Sequence, residues 1–554
     1  MNPGGVCVYQ IYLRSFFDAN GDGVGDLAGI TAKLDYIASL GVDYIWLNPF
    51  FPSPQNDNGY DVSDYCAVDP LFGTMADFET LTRNAAAKGI GVMLDMVFNH
   101  SSTEHPWFKA ALAGDKKYRD FYYFLPAKED GSPPTNWVSK FGGSAWEKDG
   151  AGGYYLHLFD KTQADLNWDN PAVREELAGI LRFWIKKGVK GFRFDVFNLT
   201  DKGGAFLDDG AGDGRRFYTD GRQVLPRFAA MRNAIFDADG GGFLTVGEAS
   251  STTMEKCAAY SNPKTGALTM TFHFHHLKTD YPDGEKWRRG AVDFPLLKKI
   301  LHEWQVFMGE HGGWDALFWN NHDQPRALTR FASAKSAFHY QSATMLAAVI
   351  HFMRGTPYIY MGEEIGMTNP GFQKITDYRD VETLRYHRIL RENGMSEDEV
   401  MRIIQERSRD GSRTPMQWTA DISGFSAAGK SWIQPAPNSA EINAQSEEAN
   451  PRGVLAFYKR LIALRKELPV IQSGSYTPVL PEYAPVFAYR RDLAKTRLAC
   501  VNNFFEEGVQ ISSSDFNRWL GKPIELLASN YDASPPSFEG GLFLRPYETA
   551  AFLF

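Results

Sequence analysis

Three acidic side chains follow apolar, strand-like runs, and they are the residues of this sequence best placed to do chemistry. An ionised carboxylate is costly to desolvate, so packing does not explain its position at the end of a buried strand. Helix-like stretches separate the runs, which predicts one cleft built from several strand ends. Two or three carboxylates in a cleft are what cleavage of a glycosidic bond requires. The residues are Asp195, Glu248 and Asp323, and the runs that they close are Gly191–Asp195, Phe243–Glu248 and Trp319–Asp323.

The residues around two of these carboxylates suggest different roles. Strand side chains alternate between two faces, so Arg193 and Asp195 share one face. A neighbouring guanidinium favours an ionised carboxylate, which suits a nucleophile, although a structural ion pair would give the same pattern. Glu248 has no basic residue nearby in the sequence. In a closed pocket near another carboxylate it would tend to keep its proton, which suits a general acid. Taken alone, however, a glutamate at a strand end is more often a residue at the N-terminus of the next helix.

Size and composition narrow the class of protein. The chain has 554 residues, enough for a large core and more than one domain. A net charge of −9 and the lack of a basic tract argue against a nucleic-acid partner. The sequence shows no signal-peptide pattern and no apolar stretch long enough to span a bilayer, so we expect no membrane partner. Four cysteines without pair or metal spacing predict reduced thiols in the cytoplasm: Cys7, Cys66, Cys257 and Cys500.

The order of predicted elements indicates an α/β fold. Strand-like and helix-like stretches alternate until eight strands are reached, and a (β/α)8 TIM barrel is the natural closure of such a pattern. The predicted strands are Val6–Tyr12, Tyr44–Leu47, Val92–Phe98, Gly191–Val196, Phe243–Glu248, Met270–Phe274, Ala316–Asn320 and Tyr358–Met361. The predicted helices are Asp26–Leu40, Met75–Lys88, Ala172–Lys187, Val224–Phe236, Phe294–Met308, Gln341–Met353 and Val454–Leu468.

The alternation of predicted strands and helices is interrupted once, after the third strand, and it ends before the C-terminal residues 469–554. Residues 101–170 are rich in Gly, Pro, Trp and Tyr and are too many for a βα loop, which predicts a small inserted domain after strand three. Residues 469–554 contain short strands separated by turns, which predicts a C-terminal antiparallel β-domain. The barrel would then comprise residues 1–100 and 171–468.

Four motifs resemble those of the α-amylase family of glycoside hydrolases. They are Asp95–His100, Gly191–Asp195, Val246–Glu248 and Asn321–Asp323, and they occur in the family's order. The resemblance extends over essentially the whole chain. It implies Asp195 as nucleophile, Glu248 as acid/base and Asp323 as the carboxylate that steadies and distorts the bound sugar. It also implies sugar contacts from Asp61, His100, Arg193, His322 and either Arg409 or Arg413.

Further motifs resemble one branch of that family. Gln163–Asn167 resembles the signature of the oligo-1,6-glucosidases, and Val196 is similar to branch members that do not favour α-1,4 bonds. Gly214–Gly221, Thr271–Tyr281 and Gly284–Trp287 resemble loops of the trehalose-6-phosphate hydrolases. This resemblance implies hydrolysis of trehalose 6-phosphate to glucose and glucose 6-phosphate. The alternative within the family is an oligo-1,6-glucosidase or a glucosyl-transferring isomerase that acts on neutral sugars.

Four basic residues on these loops are candidates to hold a phosphate group. A sugar phosphate needs a cation that a neutral sugar does not, and charge-assisted hydrogen bonds supply it. Each residue alone could equally be a solvated surface charge. As a set on two loops of the barrel's catalytic face, they favour an anionic substrate. They are Arg215, Arg216, Lys278 and Lys286.

An acidic, glycine-rich loop near the N-terminus predicts a metal site. The loop opens like an EF-hand, but its twelfth position is Gly29 rather than a glutamate, so it is not an EF-hand. It resembles the calcium loop of several family members, which implies a structural calcium ion, although a metal-free turn is the alternative. The implied ligands are Asp18, Asn20, Asp22, Asp26 and the carbonyl oxygen of Val24.

A non-catalytic binding protein on the same scaffold is the alternative from another functional class. Relatives of that kind, associated with transporters, carry a membrane anchor and degraded catalytic positions. This sequence shows neither feature, which favours an enzyme.

Overall fold

The computed structural model describes residues 2–210, 212–238, 240–521, 523–531 and 540–554. The chain divides into two compact units. One comprises Met1–Ile45, His275–Arg379 and Tyr386–Phe554. The other comprises Trp46–Phe274 and Asp380–Arg385.

Eight strands form the central sheet, and hydrogen-bonded neighbours follow the order β6-β5-β4-β3-β2-β1-β8-β7. Strands that are consecutive in the sequence are neighbours in the sheet, except β6 and β7, which are the two ends of the order. β1 pairs with β8, and this is the strand order of a nearly closed (β/α)8 barrel. The predicted fold class is confirmed. The strands are β1 Val8–Ile11, β2 Tyr44–Leu47, β3 Gly91–Met96, β4 Gly191–Phe194, β5 Leu244–Glu248, β6 Met270–Phe272, β7 Ala316–Leu317 and β8 Thr356–Tyr360.

Burial of the strands follows from their composition. Every residue of β1, β2, β4 and β8 is buried. Parallel sheets are covered on both faces, so their strands are runs of apolar residues rather than alternating ones. A polar side chain within such a strand therefore needs a partner, and those partners define the candidate site.

The helices begin and end at recognisable signals. Met75–Ala87 begins at a capping box formed by Thr74 and Asp77, and Pro171 stands in the first turn of its helix. The α-helices are Leu27–Ala32, Leu34–Leu40, Met75–Ala87, Pro106–Leu112, Lys116–Arg119, Pro171–Lys186, Arg215–Tyr218, Val224–Met231, Met254–Tyr260, Phe294–Glu310, Ala327–Phe331, His339–Phe352, Val381–Glu392, Glu397–Arg407, Ala444–Glu448, Val454–Glu467, Pro469–Ser473 and Ser513–Trp519.

Two predicted helices differ from the structure. The single helix predicted over Asp26–Leu40 is two helices, because the backbone of Lys33 leaves helical geometry at φ −102° and ψ 8°. The helix predicted over Val224–Phe236 is α-helical to Met231 and continues as a π-helical turn, Arg232–Asp237. Periodicity of apolar residues detects neither change, because both preserve the buried face.

Small antiparallel sheets occupy the region after β3. His100–Ser102 pairs with Gln163–Asp165, and Gly153–Leu156 pairs with both Phe124–Pro126 and Trp146–Lys148. Aromatic side chains form much of the local core, including Trp137, Trp146 and Tyr154. This arrangement agrees with a small inserted domain, whose bounds at 101–170 stay a prediction.

The C-terminal region contains an antiparallel sheet, as predicted, and that sheet has five strands. A two-stranded sheet, Val509–Ile511 with Leu542–Leu544, accompanies it. Two strands of the larger sheet, Ser475–Pro478 and Thr549–Leu553, were not predicted from the sequence. In hydrogen-bonded order that sheet is Ser475–Pro478, Val486–Leu493, Thr496–Asn503, Thr549–Leu553 and Glu525–Ser529.

One predicted strand end is wrong. The run Trp319–Asp323 was expected to be a strand closed by Asp323, but β7 ends at Leu317 and Asp323 lies in a turn. Among the described residues, no helix is long and apolar enough to cross a membrane. Each of the four cysteines lies in the described part of the chain, and none forms a disulfide bond.

Candidate active site

Strand register brings the acidic ends of β4 and β5 to the same height. Arg193 in β4 is in register with Asp95 in β3 and with Val246 in β5. Asp195 and Glu248 each lie two residues further along the chain, and residues two apart in a strand share a face. The register therefore places Asp195 and Glu248 side by side at the carboxyl ends of their strands.

The guanidinium of Arg193 contacts three acidic side chains at the ends of neighbouring strands. Nη1 of Arg193 lies 2.6 Å from Oδ1 of Asp95 and 2.7 Å from Oδ1 of Asp195, and Nη2 contacts Oε2 of Glu248. The side chain of Arg193 is 1% exposed. We call Asp95, Arg193, Asp195 and Glu248 the Arg193 cluster. Its contact between Arg193 and Asp195 follows the predicted strand alternation, whereas the contact with Glu248 was not foreseen.

Asp95 is a member of this cluster to which the sequence analysis gave no role. Burial raises the pKa of the Asp95 carboxyl to about 7, the charge of Arg193 opposes that rise, and Asp195 adds to it. Nε1 of Trp46 and the hydroxyl of Tyr60 also donate to Asp95, at 3.2 and 2.8 Å. The available signal was a lone carboxylate inside an otherwise apolar buried strand.

Arg193 remains a cation in this buried setting. Burial alone would lower its pKa, but the charges of Asp95 and Asp195 hold the pKa above its ordinary value. Its guanidinium also lies 5.2 Å from the ring centre of Trp46 and 6.0 Å from that of Tyr60. Aromatic faces attract a cation at such distances. Arg193 therefore supplies a permanent positive charge beside three carboxyl groups.

The backbone is strained directly after Asp195. Val196 has φ 33° and ψ 40°, a left-handed conformation that a β-branched residue rarely adopts. Such a conformation costs about 1–3 kcal/mol and persists where surrounding structure enforces it. It ends β4 at Phe194 and begins the short helix Phe197–Leu199. The backbone of Asp195 is thus held between a strand and a constrained turn.

Asp61 and His100, two predicted sugar contacts, are both buried and already hydrogen-bonded. Asp61 accepts from the hydroxyl of Ser53 at 2.8 Å and from the backbone N–H of Asn56 at 2.9 Å. Nε2 of His100 lies 3.0 Å from the carbonyl oxygen of Tyr60. Burial raises the pKa of Asp61 and lowers that of His100. Their side chains are therefore fixed before any sugar binds, and their roles stay predictions.

A buried lysine connects two of the sequence motifs. Nζ of Lys202 lies 2.6 Å from Oδ1 of Asp165 and donates to Oδ1 of Asn99 at 2.9 Å. Both charged side chains are fully buried. Asn99 precedes His100, and Asp165 belongs to the Gln163–Asn167 motif. Breaking one partner of such a pair leaves an uncompensated charge, so this contact constrains both motifs. Nothing in the local sequence around Lys202 indicated it.

Asp323 lies among basic groups. Its Oδ1 is 2.7 Å from Nη2 of Arg413 and 3.1 Å from Nη1 of Arg409, and its Oδ2 is 3.1 Å from Nε2 of His322. Burial would raise the pKa of Asp323, but His322, Arg409 and Arg413 hold it well below its usual range. We call these four residues the Asp323 cluster. The sequence left open which arginine matters, and both contact Asp323.

His322 is held from its other side. Its Nδ1 lies 2.8 Å from Nε2 of Gln10, and Nε of Arg413 donates to its carbonyl oxygen at 2.7 Å. His322 is fully buried, whereas the side chain of Asp323 is 29% exposed. The carboxylate is therefore the part of the cluster that solvent or a ligand can reach.

The four phosphate candidates occupy different environments. Arg215 and Arg216 begin a short helix and are mostly exposed, with ion pairs to Asp213 at 3.0 Å and to Asp209 at 2.9 Å. Lys278 is exposed at the end of a short helix, and Lys286 lies 5.0 Å from the ring centre of Trp287. Their assignment to phosphate stays a prediction.

The predicted calcium loop presents buried carboxylates that pair with no basic side chain in the part of the chain that the structure describes. Asp18 accepts from the backbone N–H groups of Gly21 and Gly23 at 2.7 and 2.8 Å. Asp26 accepts from three backbone N–H groups, and burial raises its pKa. Each carboxylate oxygen keeps lone pairs that a hard cation could use. Among the described residues, however, no three acidic, histidine or cysteine side chains converge as a metal site, so the calcium ion stays a prediction.

Comparison with known proteins agrees with this geometry. Residues 10–474 match the family model for the α-amylase catalytic domain. The chain is 47% identical to the trehalose-6-phosphate hydrolase of Bacillus subtilis, over 98% of this chain and 97% of the relative. It is 43% identical to the oligo-1,6-glucosidase of Parageobacillus thermoglucosidasius, over 98% and 97% of the two chains.

A solved structure gives the same result. The crystal structure of trehalose-6-phosphate hydrolase from Bacillus licheniformis superposes with a TM-score of 0.94 at 48% identity, covering 100% of this chain and 99% of that one. Sequence and structure therefore agree over the full length. The chain belongs to the α-amylase family of glycoside hydrolases.

Proposed function

We propose that this glycoside hydrolase is a retaining α-glucosidase that cleaves trehalose 6-phosphate into glucose and glucose 6-phosphate. The observation that supports the reaction type is the single guanidinium of Arg193 shared by Asp195 and Glu248. Both carboxyl groups must lie close together to contact it. Retaining glycosidases hold their two carboxyl groups about 5–5.5 Å apart, whereas inverting enzymes need about 6.5–9.5 Å for a water molecule.

The proposed reaction has two steps. The Asp195 carboxylate attacks the anomeric carbon and the glycosidic C–O bond breaks, while Glu248 gives its proton to the leaving oxygen. Glu248 then takes a proton from water, whose oxygen displaces Asp195 from the glucosyl ester and restores both residues. Two inversions give net retention. Asp323 is proposed to hold hydroxyl groups of the sugar as a fixed anion.

The substrate proposal rests on the relatives and on the basic loop residues. Trehalose-6-phosphate hydrolases of Bacillus subtilis and Escherichia coli are 47% and 46% identical to this chain. The alternative, a glucosidase for neutral oligosaccharides, is supported by the oligo-1,6-glucosidase relative at 43%. The sequence identities to the two kinds of relative differ little. In this proposal the preference for a phosphorylated sugar therefore depends on four basic residues: Arg215, Arg216, Lys278 and Lys286.

A substrate panel tests the proposal directly. Values of kcat/KM are compared for trehalose 6-phosphate, trehalose, isomaltose, sucrose and maltose. Each charge-assisted hydrogen bond is worth roughly 1.5–3 kcal/mol, so we expect a preference of at least tenfold for the phosphorylated substrate. A preference for isomaltose would refute the substrate assignment. Detection of β-glucose as the first product by NMR would refute retention.

We also propose that the loop Asp18–Asp26 holds a structural calcium ion. Asp18, Asn20, Asp22, Asp26 and the carbonyl oxygen of Val24 would be its ligands. The ion would neutralise the buried charge of Asp18 and Asp26. The melting temperature should rise when calcium is added to chelator-treated protein, and magnesium should substitute poorly because it demands stricter geometry. An unchanged melting temperature, with no calcium by elemental analysis, would reject the site.

A further inference from the structure

Asp280 is the centre of a buried ionic cluster outside the two groups described above. Nε and Nη2 of Arg330 donate to its two carboxylate oxygens at 2.8 and 2.7 Å, and Nη1 of Arg407 contacts Oδ2. The three side chains are 3–4% exposed. Burial would raise the pKa of Asp280, but Arg330 and Arg407 hold it below its ordinary value. One carboxylate is therefore bound by two cations, and the cluster is positive.

The same two arginines hold the backbone around Lys278. Nη2 of Arg330 donates to the carbonyl oxygen of Leu277, and Nη2 of Arg407 donates to that of Asp280 at 2.7 Å. The carbonyl oxygen of Lys278 itself accepts from the N–H of Tyr281 at 3.1 Å. The backbone on both sides of Lys278 is thus fixed, while its side chain is exposed.

Asp280 also connects this loop to the Asp323 cluster. Nη1 of Arg330 donates to Oε1 of Gln324 at 2.8 Å, and Gln324 follows Asp323. Arg407 ends the helix Glu397–Arg407, two residues before Arg409. A single buried carboxylate therefore orients the arginines that bridge three segments of the chain.

We propose that Asp280 is the positioning residue that fixes the loop of Lys278 for recognition of the substrate's phosphate group. The inference rests on the proposed function, because Lys278 is the candidate phosphate ligand. A binding group selects its ligand well only when its own backbone and rotamer are held in advance. Asp280 acts here through Arg330 and Arg407 rather than by touching the sugar, whose phosphate it would repel.

The test is a double-mutant cycle on two substrates. Asp280→Asn, Lys278→Ala and the double variant are assayed with trehalose 6-phosphate and with p-nitrophenyl α-glucoside. Asp280→Asn should raise KM for trehalose 6-phosphate about tenfold, the loss of one charge-assisted bond, with a smaller change in kcat. KM for the aryl glucoside, which has no phosphate, should rise less. In the double variant, Asp280→Asn should add little to Lys278→Ala.

Controls separate positioning from general stability. Arg289→Ala removes an exposed arginine that pairs with Glu406 outside the cluster. It should leave KM and kcat unchanged for both substrates. Arg407→Lys keeps the charge but loses the fork that reaches both the carboxylate and the carbonyl of Asp280, so it should reproduce the KM effect if Asp280→Asn fails to fold. Equal losses on both substrates, or additive effects in the cycle, would overturn the inference. A wild-type enzyme without preference for trehalose 6-phosphate would instead refute the proposed function.

Discussion

The Arg193 cluster and the Asp323 cluster contain the same kinds of group in opposite proportions. In the first, one guanidinium is shared by three carboxyl groups. In the second, one carboxyl group is shared by two guanidinium groups and a histidine. Burial raises the pKa of Asp95 to about 7 in the first, whereas basic neighbours hold the pKa of Asp323 well below its usual range in the second.

This difference separates two tasks that carboxylates perform in glycoside hydrolysis. A cluster with too few cations can hold a proton on one of its carboxyl groups, so it can exchange protons during a reaction. A carboxylate with surplus cations stays ionised over the working pH range. These proportions are consistent with the proposed mechanism, in which the Arg193 cluster performs nucleophilic attack and proton transfer and Asp323 is a fixed negative charge.

The largest effect is expected from Asp195→Asn. An amide cannot form the glucosyl ester, so kcat should fall by roughly 10⁴- to 10⁶-fold, as when nucleophiles are removed from other hydrolases. The fold should persist, which circular dichroism and melting temperature would show. Near-normal turnover would remove Asp195 from the nucleophile's role and leave the Arg193 cluster as a structural ion pair.

Glu248→Gln sharpens the comparison because its defect depends on the substrate. General acid–base catalysis contributes typically 10²–10⁴-fold, so a substrate that needs protonation of its leaving group should lose about that much in kcat. An activated aryl glucoside should lose less in the first step. Added azide should then restore part of its turnover, since azide needs no general base. A lack of rescue would weaken the assignment.

Much of this arrangement could be predicted from the sequence, for a physical reason. The positions of Asp195 and Glu248 follow from where parallel strands end, and the alternation of side chains explains the contact of Asp195 with Arg193. The reach of Arg193 to Glu248 was missed because it depends on register between β4 and β5. Register is a tertiary property that no local pattern reports.

The Asp323 cluster was less accessible to sequence reasoning. Asp323 lies in a turn rather than at a strand end. The residues that contact the cluster come from segments distant in the sequence: Arg413 contacts Asp323, and Gln10 contacts His322. The buried contact of Lys202 with Asp165 was missed for the same reason. Charged residues are usually exposed, so a buried pair is unexpected until the two segments are seen together.

Asp323→Asn should destabilise the protein as well as reduce activity. It leaves two buried guanidinium groups without their carboxylate, and an unpaired charged group costs about 1–3 kcal/mol or more. Because the pKa of Asp323 is depressed in the folded state, its contribution is present above the unfolded value of 3.8 and is lost as pH falls below it. The difference in melting temperature between wild type and variant should therefore persist down to about pH 4. A difference that vanished at pH 6 would contradict the assigned fixed charge.

Asp95→Asn should show the opposite dependence on pH, with the smallest effect. The pKa of Asp95 is raised from 3.8 to about 7, so between these values the folded protein holds a proton that the unfolded chain has released. Stability from this group is complete below about pH 4 and is lost as pH rises to about 7. The Asp95→Asn variant is neutral at this position at every pH. Its melting temperature relative to wild type should therefore rise over that range and then level off.

Asp315→Asn is a matched control, since burial raises the pKa of Asp315 to about 7 outside the Arg193 cluster. It should show the same trend in melting temperature without altering kcat, whereas Asp95→Asn should alter both. A flat difference for Asp95→Asn would mean that Arg193 keeps Asp95 ionised, and the contrast between the two clusters would fail.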